Sequence, residues 1–247
     1  MDTPLATRIL DDSKYYPYFD NCLGALDGTH ISIHVPLEEQ SRYRNRKGTL
    51  SQNVLAVCNF DMQFVYALPG WEGSAHDARV LSDAQSCHNF NTPKGKYWLG
   101  DAGYGNSEYV MAPYRGIRYH LKEQRQSDLK PNNAKELFNL CHASLCNVIE
   151  RIFGVVKQKF KILGIGTEYS TDTQIHLVLG LLGLYNFICL HEGIENEDQE
   201  YNEILEDDEV IETFIQGPVA SSIMDKRRDE LAKDMWKAYC MHIGRDI

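Results

Sequence analysis

Three acidic residues stand at predicted ends or edges of secondary structure. Asp27 lies within a predicted strand over residues 24–35, Asp101 ends a short apolar strand, and Glu150 borders the apolar stripe of a long predicted helix. Carboxylate oxygens are the ligands that hard cations such as Mg²⁺ and Mn²⁺ prefer. Two such ions held by two aspartates and a glutamate can activate a water and stabilise the leaving oxygen in phosphodiester cleavage. The three acids therefore suggest a two-metal hydrolytic site.

Each of these acids also has a purely structural interpretation. Asp27-Gly28 is a common hairpin signal, so the pair predicts a break in the strand or a turn between two strands. Asp101 can start a turn through its side-chain hydrogen bonds. Glu150 can pair with a neighbouring cation at the boundary of a buried stripe. The residue pattern alone leaves both interpretations open for each acid.

A fourth acid, Asp77, stands near the predicted start of a helix. Ser74 can cap that helix, with Asp77 at the third helical position completing a capping box. We favour this structural explanation and keep Asp77 as a secondary site residue. The sequence contains no Ser-His-Asp elbow, P-loop or dinucleotide fingerprint that would indicate a different chemistry.

Cations are concentrated in two polar segments. A polar loop such as 41–48 often serves only as a solvent-exposed connection between strands. Its cations and tyrosine are also suited to binding a phosphate backbone. The segment 106–131 predicts a loop-rich insertion of basic character. The residues predicted to bind DNA phosphates are Arg42, Arg44, Arg46, Lys47, Arg115 and Arg118.

Hydrophobic periodicity predicts the elements that position these residues. β-rich runs at 53–60 and 64–68 follow the first strand and predict three antiparallel strands in a row. A wide apolar stripe predicts an amphipathic helix over residues 132–163, capped by Asn132 or Asn133 and stopped near Gly164. The apolar segment 175–190 is short of the roughly 20 residues that a membrane span needs, so we expect a buried core helix and no membrane contact. The predicted fold is a mixed five-stranded sheet flanked by helices, with the acids at one end.

Charge is unevenly distributed along the 247 residues, whose formal net charge is −10. Residues 1–161 carry 19 Lys and Arg against 17 Asp and Glu, whereas residues 162–225 carry 14 acids and no Lys or Arg. The acidic net charge therefore does not exclude nucleic acid as a partner of residues 1–161.

We divide the chain into a lead-in at 1–21, a catalytic domain at 22–192, an acidic linker at 193–222 and a terminal helix at 223–247. The seven cysteines form no CxxC pair, which favours a reducing compartment.

Several ordered motifs resemble the DDE nuclease domain of PIF/Harbinger-type transposases and their host-derived relatives. The motifs are GALDGTHI at 24–31, NRKGTLSQNVLAVCNFD at 45–61, PGWEGSAHDARVL at 69–81, GDAGYG at 100–105, APY at 112–114 and FNLCHASLCNVIERIFGVVKQKFKIL at 138–163.

The resemblance implies an RNase H-like fold and a divalent-metal nuclease that acts on DNA in the nucleus. It implies that Asp27, Asp101 and Glu150 are the catalytic residues and ligands of a two-metal Mg²⁺ or Mn²⁺ site, with Asp77 in the GSxHD motif. Because such transposases bind DNA ends through a region before the first aspartate, we expect a separate DNA-binding protein to supply target recognition. A homo-oligomer is a further expectation.

The chain departs from this family at three positions. Relatives are expected to carry Arg where this chain has Cys141 and Cys146, and His where it has Tyr185. Position 146 precedes Glu150 by one helical turn, and a thiol can neither orient that glutamate nor hold a phosphate as a guanidinium can. The alternative hypothesis is therefore a decayed or domesticated transposase remnant that is catalytically inactive and acts as a binding module.

Overall fold

The computed structural model describes residues 6–117, 130–192 and 222–244. A five-stranded sheet forms its centre, in the spatial order β3-β2-β1-β4-β5. The β1–β2 and β2–β3 pairs are antiparallel, whereas β1–β4 and β4–β5 are parallel. The prediction of a mixed sheet with three antiparallel strands first is confirmed. The strands are β1 (Cys22–Ser32), β2 (Ser51–Cys58), β3 (Phe64–Glu72), β4 (Tyr97–Leu99) and β5 (Val110–Met111).

Six α-helices surround this sheet within the described ranges. Two of them are single turns at the start of the chain and in the basic loop. The helices are α1 (Thr7–Leu10), α2 (Gln40–Tyr43), α3 (Asp77–Cys87), α4 (Ala134–Lys159), α5 (Thr171–Glu192) and α6 (Ser222–Ile243). The result is the RNase H-like α/β architecture that the sequence predicted.

Alternating side chains of β1 point to two different cores. Ala25 and Ile31 pack with the apolar stripe of α4, whereas Leu26 packs with Val80 and Leu81 of α3. Successive side chains of a strand point to opposite faces, so from Ala25 to Ile31 the odd-numbered residues of β1 face α4 and the even-numbered residues face α3. We call these two sides of the sheet the α4 face and the α3 face.

The strand β1 runs without interruption through Asp27-Gly28. Asp27 pairs with Ala56 and Gly28 pairs with Leu55, in an unbroken register with β2. The predicted break at this dipeptide is therefore wrong. The continuous ladder with β2 outweighs the local preference of an Asp-Gly pair for a turn.

The structure confirms most of what the sequence predicted for the helix α4. Asn133 caps it by accepting a hydrogen bond from the backbone N–H of Glu136, and the Glu136 carboxylate accepts one from the N–H of Asn132. The predicted apolar stripe is buried against the sheet. The helix ends at Lys159 rather than at 163, because Phe160 leaves helical geometry and a separate 3₁₀ turn spans Lys161–Gly164.

The helix α5 is less buried than the predicted core helix. One stripe, which includes Val178, Leu182 and Tyr185, is buried against β3, and the Asn186 amide bonds both backbone groups of Phe64. The opposite side stays exposed at Leu179, Leu184, Phe187 and Leu190. Among the described residues, α5 is the one helix whose length and composition would allow a membrane span, a criterion that core helices also meet.

The chain before β1 and the helix α6 both pack on α4. The Phe19 ring stacks on Phe138, and Met235 of α6 belongs to the same core. The predicted acidic linker lies almost wholly outside the described residues. The strand β5 falls in the segment predicted as loop; its two residues are too few to give a periodic signal.

Candidate active site

Asp27 and Asp101 are brought side by side by the parallel pairing of β1 with β4. Ala25 pairs with Leu99 in this register, and each aspartate lies two residues beyond that pair. Neighbouring strands are about 4.8 Å apart, so Asp27 within β1 and Asp101 just beyond the end of β4 stand at the same level. The carboxyl end of a parallel strand is a usual position for a functional side chain in α/β sheets.

The backbone around both aspartates donates hydrogen bonds to their carboxylates. The Asp27 Oδ1 atom accepts from the N–H of Gly28 at 2.8 Å. The Asp101 Oδ1 atom accepts from the N–H of Gly103 at 2.9 Å and of Tyr104 at 3.3 Å. Asp101 therefore does start a turn, as its structural interpretation held, and that turn fixes its carboxylate at the edge of the site.

Glu150 approaches the aspartates from α4. Asp27 faces α4 by strand alternation, and the charge of Glu150 is close enough to raise the pKa of the Asp27 carboxyl. Glu150 is exposed to solvent beside the buried residues Val148 and Ile149. A helix and a strand distant in sequence thus contribute to one acidic cluster.

Asp77 reaches the cluster from the α3 face. A Cβ at position 28 would lie 2.6 Å from Asp77 Cγ, so the carboxylate occupies the space that the missing side chain of Gly28 leaves. The Asn53 amide donates to Asp77 Oδ1 at 2.6 Å and to the carbonyl of Ala75 at 3.1 Å. Asn53 thereby fixes the direction of the Asp77 carboxylate.

The predicted capping box at this helix is wrong. The helix α3 begins at Asp77 itself, with His76 at the cap position and without a side-chain cap hydrogen bond. Ser74 instead donates its backbone N–H to the carbonyl of Arg42. The capping explanation for Asp77 therefore fails, and its contacts point towards the acidic cluster.

Crowding of these acids changes their affinity for protons. Burial, followed by the charges of Asp101 and Asp77, raises the pKa of Asp27 well above its ordinary value. Burial and the charge of Asp77 also raise the pKa of Asp101, against the lowering effect of its backbone hydrogen bonds and of Arg115. Charged carboxylates that are desolvated and mutually repelled gain stability from any cation that takes the place of a proton.

The oxygen atoms of this cluster are the type of ligand that a hard cation prefers. All four acids offer oxygen atoms, and two buried oxygens beside Asp77, Tyr104 Oη and Asn53 Oδ1, find no hydrogen-bond partner among the described residues. The pKa of Tyr104 is raised by burial and by the charges of Asp77, Asp27 and Asp101, which places its hydroxyl at the same cluster. Among the described residues, no group of three or more His, Cys, Asp or Glu side chains stands in position to hold one metal ion.

One predicted DNA-binding cation lies beside Asp101, and a second contacts the residue before Asp77. Arg115 lowers the pKa of Asp101 and donates to the carbonyl of Ala102 at 2.7 Å. Arg46 contacts the ring of His76, the residue before Asp77, at 3.3 Å.

The other predicted cations are exposed in the loop or fall outside the described ranges. Arg42 pairs with Glu72, and Arg44 donates to the carbonyl of Gly48. Lys47 is exposed, and Arg118 lies outside the described residues.

Cys146 lies on the inner side of the site. Burial raises the pKa of its thiol well above the ordinary value, and the charges of Glu150, Asp27 and Asp101 raise it further. The thiol contacts the ring of His142, a residue whose pKa burial lowers to about 4 and whose Nε2 atom lies 3.0 Å from the carbonyl of Met111. Both side chains are therefore uncharged at neutral pH, and position 146 supplies no positive charge to the acids.

Sequence reasoning missed four residues in or beside this site. Gly28 admits Asp77, Asn53 orients it, and Thr29 holds the lysine at 157 by a hydrogen bond of 2.7 Å. A polar amide within the apolar run of β2 was an available signal for Asn53, because a buried polar side chain needs partners. The lysine gave no signal, because it lies in the last turn of a long helix whose surface carries several other charged residues.

Comparison with known proteins identifies the family of the chain. A family described as "DDE superfamily endonuclease" matches residues 26–186, which is more than half of the chain. That range includes all four acids of the cluster and the strands and helices that position them. No solved structure matches the chain.

Among named proteins, "Putative nuclease HARBI1" of Rattus norvegicus is 28% identical over 178 residues, which cover 70% of this chain and 47% of that protein. The HARBI1 protein of Homo sapiens is equally similar. "Protein ALP1-like" of Arabidopsis thaliana is 25% identical over 170 residues, covering 62% of this chain and 38% of that protein. The chain spans about half the length of the HARBI1 proteins it matches. With the motif order, the sheet topology and the family match in agreement, the chain belongs to the DDE superfamily endonuclease family.

Proposed function

We propose that this chain is a divalent-metal-dependent endonuclease domain that cleaves or transfers strands of DNA. The observation that carries the proposal is the convergence of Asp27, Asp101, Asp77 and Glu150 from two strands and two helices on one end of the sheet. Mg²⁺ or Mn²⁺ bound there would activate a water and stabilise the leaving oxygen of a phosphodiester.

The four acids have different roles in this proposal. Asp27 and Asp101, on adjacent strands, are the shared ligands, and Glu150 completes the set from α4. Asp77 is held by Asn53 beneath Gly28 and adds a fourth carboxylate from the other face. Because burial and repulsion raise the pKa of Asp27 and of Asp101, a bound cation would compete with protons for both carboxylates and relieve their repulsion.

DNA is the proposed substrate because cations stand around the acids. Arg115 lies beside Asp101 and Arg46 lies beside the first turn of α3, so both are suited to bind phosphates of a strand lying across the site. Arg42, Arg44, Lys47 and Arg118 extend this set in the proposal. Nuclear location, target recognition by a separate DNA-binding protein and homo-oligomer formation are further proposals that rest on the family resemblance.

The test combines Mn²⁺ calorimetry with a supercoiled-plasmid nicking assay. The wild type is compared with the double variant Asp101→Asn/Glu150→Gln and with the control Asp61→Asn/Glu168→Gln, whose two acids are exposed and stand in a hairpin turn and before α5. We expect saturable binding and nicking in the wild type and the control, and neither in the site variant. Equal Mn²⁺ binding by all three proteins would refute the proposed site.

The alternative function is a catalytically inactive binding module. Its specific observation is the neutral, partly buried Cys146 thiol one helical turn before Glu150, at a position where relatives are expected to carry a guanidinium. This alternative predicts Mn²⁺ or DNA binding without nicking in the wild type. Nicking that appears only after Cys146→Arg, in a variant whose circular dichroism spectrum is unchanged, would favour it; nicking by the wild type would exclude it.

A further inference from the structure

Two glycines open the α3 face of the sheet beside the acidic cluster. A Cβ at position 100 would lie 3.2 Å from Cδ2 of the Tyr104 ring, just as a Cβ at position 28 would meet the Asp77 carboxylate. Tyr104 belongs to the core between the sheet and α3, so its ring lies on the α3 face. The missing side chains of Gly100 and Gly28 thus admit the Tyr104 ring and the Asp77 carboxylate to the same face.

The Tyr104 hydroxyl is buried among charged groups without a hydrogen bond of its own. The residue is 1% exposed, and its Oη atom has no hydrogen-bond partner among the described residues. Burial, followed by the charges of Asp77, Asp27 and Asp101, raises the pKa of the phenol, so the hydroxyl keeps its proton and can donate it in a hydrogen bond. Because buried polar groups nearly always have a partner, this hydroxyl indicates a ligand beside Asp77.

A second buried oxygen without a partner lies on the other side of the same carboxylate. Asn53 is 1% exposed, and its amide N–H groups donate to Asp77 Oδ1 at 2.6 Å and to the carbonyl of Ala75 at 3.1 Å. Both of these partners can only accept, so they fix which end of the amide is nitrogen. The remaining atom, Asn53 Oδ1, has no hydrogen-bond partner within the part of the chain that the structure describes.

These groups match the hydrogen-bonding capacity of a water molecule. Tyr104 offers one donor, whereas Asn53 Oδ1 and the Asp77 carboxylate offer acceptors. A buried water typically makes about three such bonds. Mg²⁺ keeps several of its waters when protein carboxylates bind it, so a water of its hydration shell has the required chemistry. Direct contact with a cation would instead leave the phenol hydrogen unused.

We infer that Tyr104 and Asn53 are positioning residues that, with Asp77, hold a water of the bound cation's hydration shell on the α3 face. Asp77 therefore acts on the cation through this water, whereas the other three acids bind the cation directly. The inference rests on the proposed function, since it deepens the account of how the same site holds its metal.

The main experiment compares two tyrosine variants of the full chain by Mn²⁺ calorimetry. Tyr97 is the matched control for Tyr104, because it is fully buried and its Oη atom also has no partner among the described residues. It differs in standing at the opposite end of β4 from Asp101, in the core on the α4 face. We expect Mn²⁺ affinity to fall about tenfold in Tyr104→Phe and to stay unchanged in Tyr97→Phe. Equal affinities of the two variants would overturn the inference.

Thermal melts separate a role in metal binding from a structural role of the hydroxyl. In EDTA, both variants should melt no lower than the wild type, because each removes a buried hydroxyl that forms no hydrogen bond within the protein. With saturating Mn²⁺, the rise in melting temperature should be smaller for Tyr104→Phe than for the wild type. A Tyr104→Phe protein that is already destabilised in EDTA would show that the hydroxyl has a structural partner, and would overturn the inference.

A further pair of variants tests whether Asp77 acts through water. Asp77→Asn keeps an oxygen that can accept a hydrogen bond from a water, but the neutral amide is a poorer direct ligand than a carboxylate. We therefore expect Asp77→Asn to lose less Mn²⁺ affinity than Asp101→Asn, which removes a direct ligand. Equal losses in the two variants would show direct binding by Asp77 and contradict the water-mediated role.

Plasmid nicking by the wild type distinguishes this inference from the endonuclease proposal. If the wild type binds Mn²⁺ without nicking, and only the Tyr104→Phe variant of the tyrosine pair loses affinity, the endonuclease proposal fails and the water position stands. If binding and nicking are normal but both tyrosine variants bind Mn²⁺ alike, the endonuclease proposal stands and the water position is wrong. A wild type without saturable Mn²⁺ binding would refute both.

Discussion

The two faces of β1 build the site in opposite ways. On the α4 face the strand itself provides the chemistry, because Asp27 and Thr29 project towards Glu150 and Lys157. On the α3 face the strand provides only a gap at Gly28, and Asp77 fills it from the first turn of α3.

This difference separates two ways of placing a functional group. The α4 face depends on strand and helix periodicity, so each of its side chains can be changed with little effect on the backbone. The α3 face depends on close approach and on one buried amide, so small changes of volume should disturb it strongly. The four predictions below test that contrast.

The largest effect is expected on the α4 face from Asp27→Asn. Mn²⁺ binding and nicking should fall to background, because the variant removes a ligand charge at the centre of the cluster. At pH 7 the same variant should melt at a higher temperature than the wild type. The melting temperature rises by about 2–4 °C for each kcal/mol gained in the free energy of unfolding.

The sign of this stability change follows from the raised pKa. The folded protein holds the charged Asp27 carboxylate less readily than the unfolded chain does, so ionisation costs folding free energy at neutral pH. The cost shrinks as the pH falls through the raised pKa towards the unfolded value of about 3.9. Thermal melts of both proteins across that range check the prediction; a variant less stable than the wild type at pH 7 would contradict it.

A large structural effect is expected on the α3 face from Gly28→Ala. The added methyl group would overlap the Asp77 carboxylate, and overpacking of this kind costs about 1–3 kcal/mol. Urea unfolding measures this loss, and Mn²⁺ affinity should fall with it as Asp77 is displaced. Gly180→Ala is the matched control, since that glycine lies in α5 with open space around it and should gain up to about 1 kcal/mol. Equal stability of the two variants would argue against a filled gap at Gly28.

A moderate effect is expected from Asn53→Ala, which removes the amide that orients Asp77. Loss of a group that orients a metal ligand typically costs about 10- to 100-fold in metal affinity. Calorimetry with Mn²⁺ measures this change. Asn59→Ala, which disrupts hairpin hydrogen bonds between β2 and β3, should alter stability without altering Mn²⁺ affinity. If both variants bound Mn²⁺ alike, Asp77 would have no part in the site.

The smallest effect is expected in the pH dependence of Mn²⁺ binding. Protons compete for Asp27 and Asp101, and because both pKa values are raised, affinity should begin to fall at a higher pH than for ordinary carboxylates. Arg115→Gln should move this fall to a still higher pH, because Arg115 lowers the pKa of Asp101. Arg44→Gln should leave it unchanged. Calorimetric titrations at a series of pH values would contradict the assignment if the two variants behaved alike.

Local signals accounted for much of the fold. The apolar stripe and the Asn133 cap located α4, and the β-rich runs located β2 and β3, because periodicity and capping are properties of short segments. The same kind of signal failed at Asp27-Gly28 and at Ser74. At the first position the unbroken pairing of β1 with β2 decided the conformation, and at the second the turn before α3 used the Ser74 backbone instead of its side chain.

The sequence by itself determined the residue types of the site, the elements that carry them and the family. Asp27, Asp101 and Glu150 could be singled out as candidates because each stands at a recognisable end or edge of a predicted element. Only the tertiary structure decided that Asp77 enters beneath Gly28, that Asn53 orients it and that Lys157 is held by Thr29. These contacts join residues 24 to 128 positions apart. A local sequence pattern does not show which distant side chain will fill a gap or accept a hydrogen bond.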